Sequence, residues 1–84
     1  MTAKEMAAEV KRLRCKDDHD LWERRLGNGA VVHVRCEPQR YFGVFYRVWA
    51  TKGTRIKAML FAMTPETAGR KARSLVTRHG GGAP

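Results

Sequence analysis

Two cysteines and two of the three histidines in this sequence could in principle bind zinc. Cys15 and His19 are spaced Cys-x3-His, and His33 and Cys36 are spaced His-x2-Cys. The second pair falls in a segment that alternates polar and apolar residues, which is typical of a strand. Residues three apart on a strand point to opposite faces, so His33 and Cys36 should not converge on one zinc ion. The sequence therefore predicts no metal site.

Other arrangements that support catalysis are incomplete. Gly27-Asn28-Gly29 lacks the lysine and helix that follow in a phosphate-binding loop. Ser74 and His33 belong to no pattern that would orient a serine–histidine–acid triad. Three aspartates are clustered in one loop, where we expect mutual solvation: Asp17, Asp18 and Asp20. We therefore expect a protein that is not an enzyme and that uses no cofactor.

Electrostatic charge is the strongest signal in the composition. The 84 residues include 17 Lys and Arg against eight Asp and Glu, a net charge of +9, and the isoelectric point is about 10.4. Residues 1–37 hold eight basic and seven acidic side chains, whereas residues 38–84 hold nine basic ones and only Glu66 as an acid. Such an imbalance creates a field that attracts polyanions. The alternative is a positive surface that serves only solubility.

Length and segment composition predict one domain and its compartment. A chain this short forms a single domain, which we expect over residues 1–79, and residues 80–84 should be a disordered Gly-rich tail. No apolar run approaches the roughly 20 residues that span a bilayer, and the N-terminus does not resemble a signal peptide. Cys15 and Cys36 fit free thiols, although they could pair. These features predict a cytoplasmic protein that does not contact membranes.

Two helices should position the candidate side chains at the ends of the chain. The pattern of a capping box occurs at Thr2-Ala3-Lys4-Glu5 and predicts the start of the first helix. Apolar residues at helical spacing extend this helix over residues 2–14. Thr64-Pro65-Glu66 predicts the start of a second helix, because threonine suits the cap and proline suits the first turn. Its buried side should carry Ala68, Ala72, Leu75 and Val76, and His79-Gly80 should end it.

Between the helices the hydrophobic period changes to two. This alternation predicts strands over residues 21–26, 30–37, 42–50 and 54–62, with hairpin turns at Gly27-Asn28-Gly29 and Thr51-Lys52-Gly53. The expected fold class is α+β. It is a four-stranded antiparallel meander flanked by N- and C-terminal helices, in the order α-β-β-β-β-α, with both helices on one face.

Alternation also assigns the strand residues to the two sides of the sheet. The side that meets the helices should carry Val32, Val34, Cys36, Phe42, Val44, Tyr46, Val48, Ile56, Ala58 and Leu60. The other side should carry Val31, His33, Arg35, Phe45, Arg47, Trp49, Arg55, Lys57 and Met59.

Cations and aromatic rings are mixed on that second side. Cations pair with phosphate, and aromatic rings stack on unpaired bases. We therefore predict binding contacts from Arg35, Phe45, Arg47, Trp49, Arg55 and Lys57. The alternative is that Phe45, Trp49, Met59 and Phe61 shield one another or pack against a second subunit, giving a homodimer through this face.

The second helix adds a further basic set, namely Arg70, Lys71, Arg73 and Arg78. Cations on an exposed helix are usually a solvated face. No acid accompanies them after Glu66, so contact with an anion is the second interpretation.

Three strand segments precede a basic helix that begins with proline: Leu21-Trp22-Glu23-Arg24-Arg25, Phe45-Tyr46-Arg47-Val48 and Met59-Leu60-Phe61. Over residues 21–78 this arrangement loosely resembles ribosome-dependent messenger-RNA interferase toxins. This resemblance implies metal-independent RNA cleavage, with Arg47 and His33 as the residues to test. The paired lysines that usually follow the last strand are missing, and the helical region before the first strand is shorter than in those toxins.

Two further segments carry a second resemblance, namely Tyr41-Phe42-Gly43-Val44 and Thr64-Pro65-Glu66-Thr67-Ala68. Together they are similar to the sheet-plus-helix DNA-binding domains of plant ethylene-response factors and phage integrase arms. Those domains read DNA with the sheet, and this chain is shorter by about a strand in that part. The outline is also similar to double-stranded-RNA-binding domains, whose lysine-rich helix start is replaced here by Thr64-Pro65-Glu66-Thr67.

In organisation, this small, strongly charged single domain resembles accessory proteins of phages, including anti-CRISPR inhibitors. The resemblance implies that it blocks a defence complex in the host cytoplasm. The sequence thus predicts a non-enzymatic binder of nucleic acid or of a nucleoprotein or acidic protein complex, with a phage inhibitor as the specific hypothesis. A sheet-based DNA- or RNA-binding regulator and an interferase toxin are the alternatives.

Overall fold

The computed structural model describes residues 2–13, 21–39 and 43–80. The elements are α1 (Ala3–Val10), β1 (Leu21–Arg25), β2 (Ala30–Gln39), β3 (Gly43–Lys52), β4 (Arg55–Ala62) and α2 (Pro65–His79). The strands pair antiparallel in the order β1-β2-β3-β4. The predicted α+β meander with a helix at each end is confirmed. Three expectations concern residues outside the described ranges: the polar break after α1, the place of Phe42 on the helix side of the sheet, and the tail from residue 81.

Both helices begin where the capping signals predict. The amide of Glu5 donates to the Thr2 hydroxyl at 3.1 Å, and the amide of Thr2 donates to the Glu5 carboxylate at 3.0 Å. This hydrogen bonding holds the pKa of Glu5 below its usual value. At α2 the Thr64 hydroxyl accepts from the amide of Thr67 at 3.2 Å, and Pro65 occupies the first turn.

The first helix ends four residues earlier than its apolar spacing predicts. After Val10 the chain tightens into bonds between residues three apart: the amide of Arg12 donates to the Glu9 carbonyl at 3.1 Å, and the amide of Leu13 donates to the Val10 carbonyl at 3.0 Å. Leu13 still packs against the core. Its apolar character therefore reflects burial beyond the end of the helix.

One core lies between the sheet and the two helices. Its fully buried members include Met6 and Val10 of α1, Val32 and Val48 of the sheet, and Leu75 of α2. Because both helices share this core with the same side of the sheet, they lie on one face, as predicted. None of the described helices is long and apolar enough to cross a membrane.

The two helices approach each other closely at Gly69. A Cβ atom added there would lie 2.6 Å from the amide nitrogen of Ala7 and 2.8 Å from the carbonyl oxygen of Ala3. Only glycine fits this contact, since any side chain would meet the backbone of α1. On the other side of α1, the Trp22 indole donates to the Glu9 carboxylate at 2.6 Å and so ties β1 to the helix.

The expectation of free thiols is wrong for Cys36, which is disulfide-bonded and buried in the core. Cys15, the other cysteine of the chain, lies outside the described residues. Disulfides persist mainly in oxidising compartments. The cysteines therefore no longer support a cytoplasmic location, which stays a prediction.

A β-bulge in β4 overturns part of the predicted division of the sheet. Ala50 pairs with Ala58, but Thr51 pairs with Ile56, so Lys57 is the extra residue. The bulge moves Ile56 to the side away from the helices, where it is 62% exposed. Placing Ile56 in the core was therefore wrong, because strict alternation fails at a bulge. Val44, at the start of β3, is also exposed despite its apolar character.

The same bulge corrects the predicted position of Arg55. Arg55 lies opposite Lys52, one position before Ile56, so it does not share a face with Arg47. Lys57 has no partner of its own on β3. Both cations are exposed and lie at the end of the sheet.

Candidate nucleic-acid interface

The side of the sheet away from the helices, called here the open face, is built in rows that cross the strands. Residues directly opposite each other in an antiparallel pair point to the same side. One row, the arginine row, consists of Leu21, Arg35, Arg47 and Phe61. The next, the histidine row, consists of Glu23, His33, Trp49 and Met59. A third, the end row, consists of Arg25, Val31, Thr51 and Ile56.

Two arginines face each other in the middle of the arginine row. Arg47 Nη2 lies 3.2 Å from Glu37 Oε2 in a partly exposed ion pair. Arg35 has no such partner among the described residues, and the Nε atoms of Arg35 and Arg47 are both buried without a hydrogen bond. Like charges directly opposite each other on a sheet repel. The arginine row therefore holds two guanidinium groups, and only one of them is paired, with a carboxylate of the neighbouring row, so the row attracts an anion.

Phenylalanine rings lie next to this arginine pair. Phe45 and Phe61 have ring centroids 5.8 Å apart and are tilted by 45°. Phe61 is 52% exposed, and Phe45 is half-buried. The predicted shielding of aromatic side chains across strands is thus partial, because the Phe61 ring still presents surface for contact.

His33 and Trp49 stack in the histidine row, with ring centroids 4.8 Å apart and 14° between the planes. His33 Nε2 lies 2.8 Å from the Thr51 hydroxyl, and His33 Nδ1 lies 3.1 Å from Glu23 Oε2. Burial lowers the pKa of His33 below 6.5, and the nearby Glu23 carboxylate only partly opposes this effect. Each ring nitrogen of His33 thus has a side-chain oxygen beside it.

A cluster of cations, called here the basic end, lies where both hairpins turn. It consists of Arg24, Arg25, Lys52, Arg55, Lys57 and Arg78, all exposed. Gly53 permits the tight turn of the second hairpin with a φ of 62°. Asn28 Nδ2 donates to the His79 carbonyl at 2.6 Å and brings the end of α2 to this position. Residues 24–31 and 51–57, which form this end of the sheet, include no Asp or Glu.

The remaining predicted cations lie on α2, and α2 covers the opposite face of the sheet. Arg70 and Arg73 are exposed there, and Arg70 Nη2 lies 3.4 Å from the Thr67 hydroxyl. Lys71 is half-buried and donates to the Phe61 carbonyl at the edge of β4. The cations of the second half of the chain are thus divided between the open face, the basic end and the outer side of α2. They do not form one continuous surface.

The structure adds residues that the sequence patterns missed. Glu23, Glu37 and Thr51 contact the predicted residues directly, and only strand register reveals those contacts. Arg24, Arg25 and Lys52 join the basic end because they flank the two turns, which the hairpin signals in the sequence could have shown. The predicted opposition of His33 and Cys36 is confirmed, since His33 lies on the open face and Cys36 in the core.

Comparison of this chain with protein-family models, with curated proteins and with solved structures found no match.

Proposed function

We propose that this protein binds unpaired nucleic acid on the open face of its sheet. The observation that supports it is that Arg35 and Arg47 lie directly opposite each other, while only Arg47 has a carboxylate partner, Glu37. A bound phosphodiester would supply the missing negative charge and would accept hydrogen bonds from both guanidinium groups. The arginine pair is thus the phosphate-binding centre in this proposal.

The aromatic side chains beside the pair favour unpaired bases over a duplex. Phe61 lies beside Arg47 in the arginine row, Phe45 lies on one side of that row, and the stacked Trp49 and His33 lie on the other. Bases inside a duplex stack on each other and do not offer their faces to a flat protein surface, whereas unpaired bases do. Stacking of a base on an aromatic side chain contributes about 1–3 kcal/mol.

The proposed activity is binding without catalysis. In the described part of the chain, His33 has Glu23 at one nitrogen and Thr51 at the other. This arrangement supports a role for His33 in holding Trp49 in place.

Fluorescence anisotropy with short labelled oligonucleotides tests the proposal. We expect the protein to prefer a single strand, of RNA or DNA, to a blunt duplex of the same sequence. Combined Arg35→Gln and Arg47→Gln substitutions should weaken binding and reduce the salt slope by about 1.4, because each phosphate contact to a single strand contributes about 0.7. Phe61→Leu should weaken binding by about tenfold or more through lost stacking.

A matched control separates this site from the general positive charge. Lys4→Gln combined with Lys11→Gln removes the same charge from exposed positions in α1 and just after it and should change affinity only slightly. Equal losses in the two double variants would show that binding depends on net charge alone, and the proposed site would be wrong.

A protein partner on the same face is the second candidate. Leu21, Ile56, Met59 and Phe61 are exposed apolar side chains on the open face, and interfaces combine such residues with arginine and aromatic anchors. Two partners fit this composition: an acidic protein of a nucleoprotein complex, as the inhibitor hypothesis requires, and a second copy of this chain. Sedimentation of the protein alone distinguishes the homodimer, and nuclease-resistant capture of one defined complex would favour the inhibitor.

A further inference from the structure

We infer that the basic end binds the phosphate backbone of a duplex that adjoins the single strand, so that the preferred ligand is a junction between paired and unpaired nucleic acid. This inference rests on the proposed function of the open face. It follows from the different chemistry of the two surfaces and from the short distance between them.

The basic end contains the chemistry for phosphates and lacks the chemistry for bases. Its six exposed cations include three on the hairpin between β3 and β4, namely Lys52, Arg55 and Lys57. None of the six has an ion-pair partner among the described residues, and residues 24–31 and 51–57, which form this end of the sheet, include no aromatic side chain. Such a surface binds a backbone whose bases are already paired and turned inward, since phosphate contacts need no access to the bases.

The two surfaces adjoin each other at one residue of the open face. Arg25 belongs both to the end row and to the basic end. Arg35 and Val31 are four positions apart on β2, so the arginine row lies about 13 Å from the end row at roughly 3.3 Å per residue. A single strand of nucleic acid, stretched to about twice the ~3.4 Å rise per nucleotide of B-form DNA, spans that distance with two nucleotides.

This spacing fixes the length of single strand that the ligand needs. Two nucleotides reach from the duplex to the arginine pair and to Phe61 in the same row, and one or two more reach the ring of Phe45 beyond it. We therefore expect affinity to rise with overhang length up to about four nucleotides and then to level off.

The test uses the full chain and three ligands of one sequence: a single strand, a blunt hairpin and the same hairpin with an overhang on the 5′ or the 3′ side. RNA and DNA versions distinguish the two backbones. We expect one overhang hairpin to bind at least tenfold more tightly than either other ligand. Lys52→Gln, Arg55→Gln and Lys57→Gln together should remove this preference and lower the salt slope on the hairpin by about 2.7, since each duplex phosphate contact contributes about 0.9.

The matched control is Lys4→Gln, Lys11→Gln and Arg12→Gln, which removes three exposed cations from α1 and its end and should leave the preference intact. If the single strand binds as tightly as the overhang hairpin, or if both triple variants lose equal affinity, the junction inference is wrong while the proposed function stands. If the single strand does not bind at all, the proposed function fails and the inference fails with it.

Discussion

Arg35→Gln should stabilise the protein while it weakens nucleic-acid binding. Arg35 faces Arg47 directly across β2 and β3, and such a pair of like charges costs about 0.2–1 kcal/mol. Its buried Nε atom has no hydrogen-bond partner, so removing the guanidinium group removes a second unfavourable feature. Glutamine keeps part of the aliphatic stem that packs on the sheet. We expect the free energy of unfolding to rise by about 0.5 kcal/mol.

The corresponding change at Arg47 has a different expected result. Arg47→Gln relieves the same repulsion but removes the ion pair with Glu37, whose side chain is only 19% exposed, against 40% for Arg47. A partly exposed pair of this kind contributes about 0.5 kcal/mol. The two effects oppose each other, so the net change in stability should be close to zero. The comparison of the two variants therefore measures the repulsion separately from the ion pair.

Urea unfolding and thermal unfolding at low and high salt provide the assay. A gain of about 0.5 kcal/mol corresponds to a rise in Tm of roughly 2–4 °C for a domain of this size. The gain should shrink at about 1 M salt, where the screening length is only about 3 Å. Arg35→Lys keeps the charge but removes the unpaired Nε atom, so its gain should be smaller than that of Arg35→Gln and should not depend on salt. A loss of more than about 1 kcal/mol in Arg35→Gln, or a gain that salt does not reduce, would refute this reasoning.

Three further predictions concern the fold and its titration. Gly69→Ala should lower stability by about 1–3 kcal/mol. The reason is that the clash with the backbone of Ala7 outweighs the roughly 1 kcal/mol that alanine normally adds to a helix. A more stable variant in urea unfolding would show that the helices do not meet there. The pKa of His33 is lowered in the folded state, so its contribution to stability is complete above pH 6.5 and is lost as the pH falls toward the folded-state pKa. Unfolding curves from pH 7.5 to 5 should therefore show a smaller loss of stability in His33→Gln than in the natural protein. Identical losses of stability would contradict a lowered pKa for His33. Alkylation of denatured protein without a reductant should leave Cys36 unlabelled, and a labelled Cys36 in the mass spectrum would rule out the disulfide.

The fold was largely predictable because its signals are local. The capping residues Thr2 and Thr64 fix the starts of the helices, and alternation with two Gly-containing turns fixes the four strands. A meander then needs no long-range choice, since each strand pairs with the next along the chain. The end of α1 was not predictable in this way, because Leu13 is apolar for packing outside the helix.

The candidate site was only partly predictable because it depends on register. Arg35, Phe45, Arg47 and Trp49 alternate correctly and do share the open face. Beyond the bulge at Lys57 the alternation no longer holds, and this displaced Arg55 and Ile56 from their expected sides. Nothing in the local sequence reveals a bulge, since it depends on how β4 pairs with β3.

The two tryptophans provide the most direct test of where nucleic acid binds. Trp49 lies on the open face, stacked on His33, whereas the indole of Trp22 lies on the covered side, bonded to Glu9 of α1. In an amide and indole NMR titration with a short single strand, the Trp49 indole signal and the amides of the arginine row should shift while the Trp22 indole signal stays in place. Shifts confined to Trp22 and the helices would contradict binding on the open face.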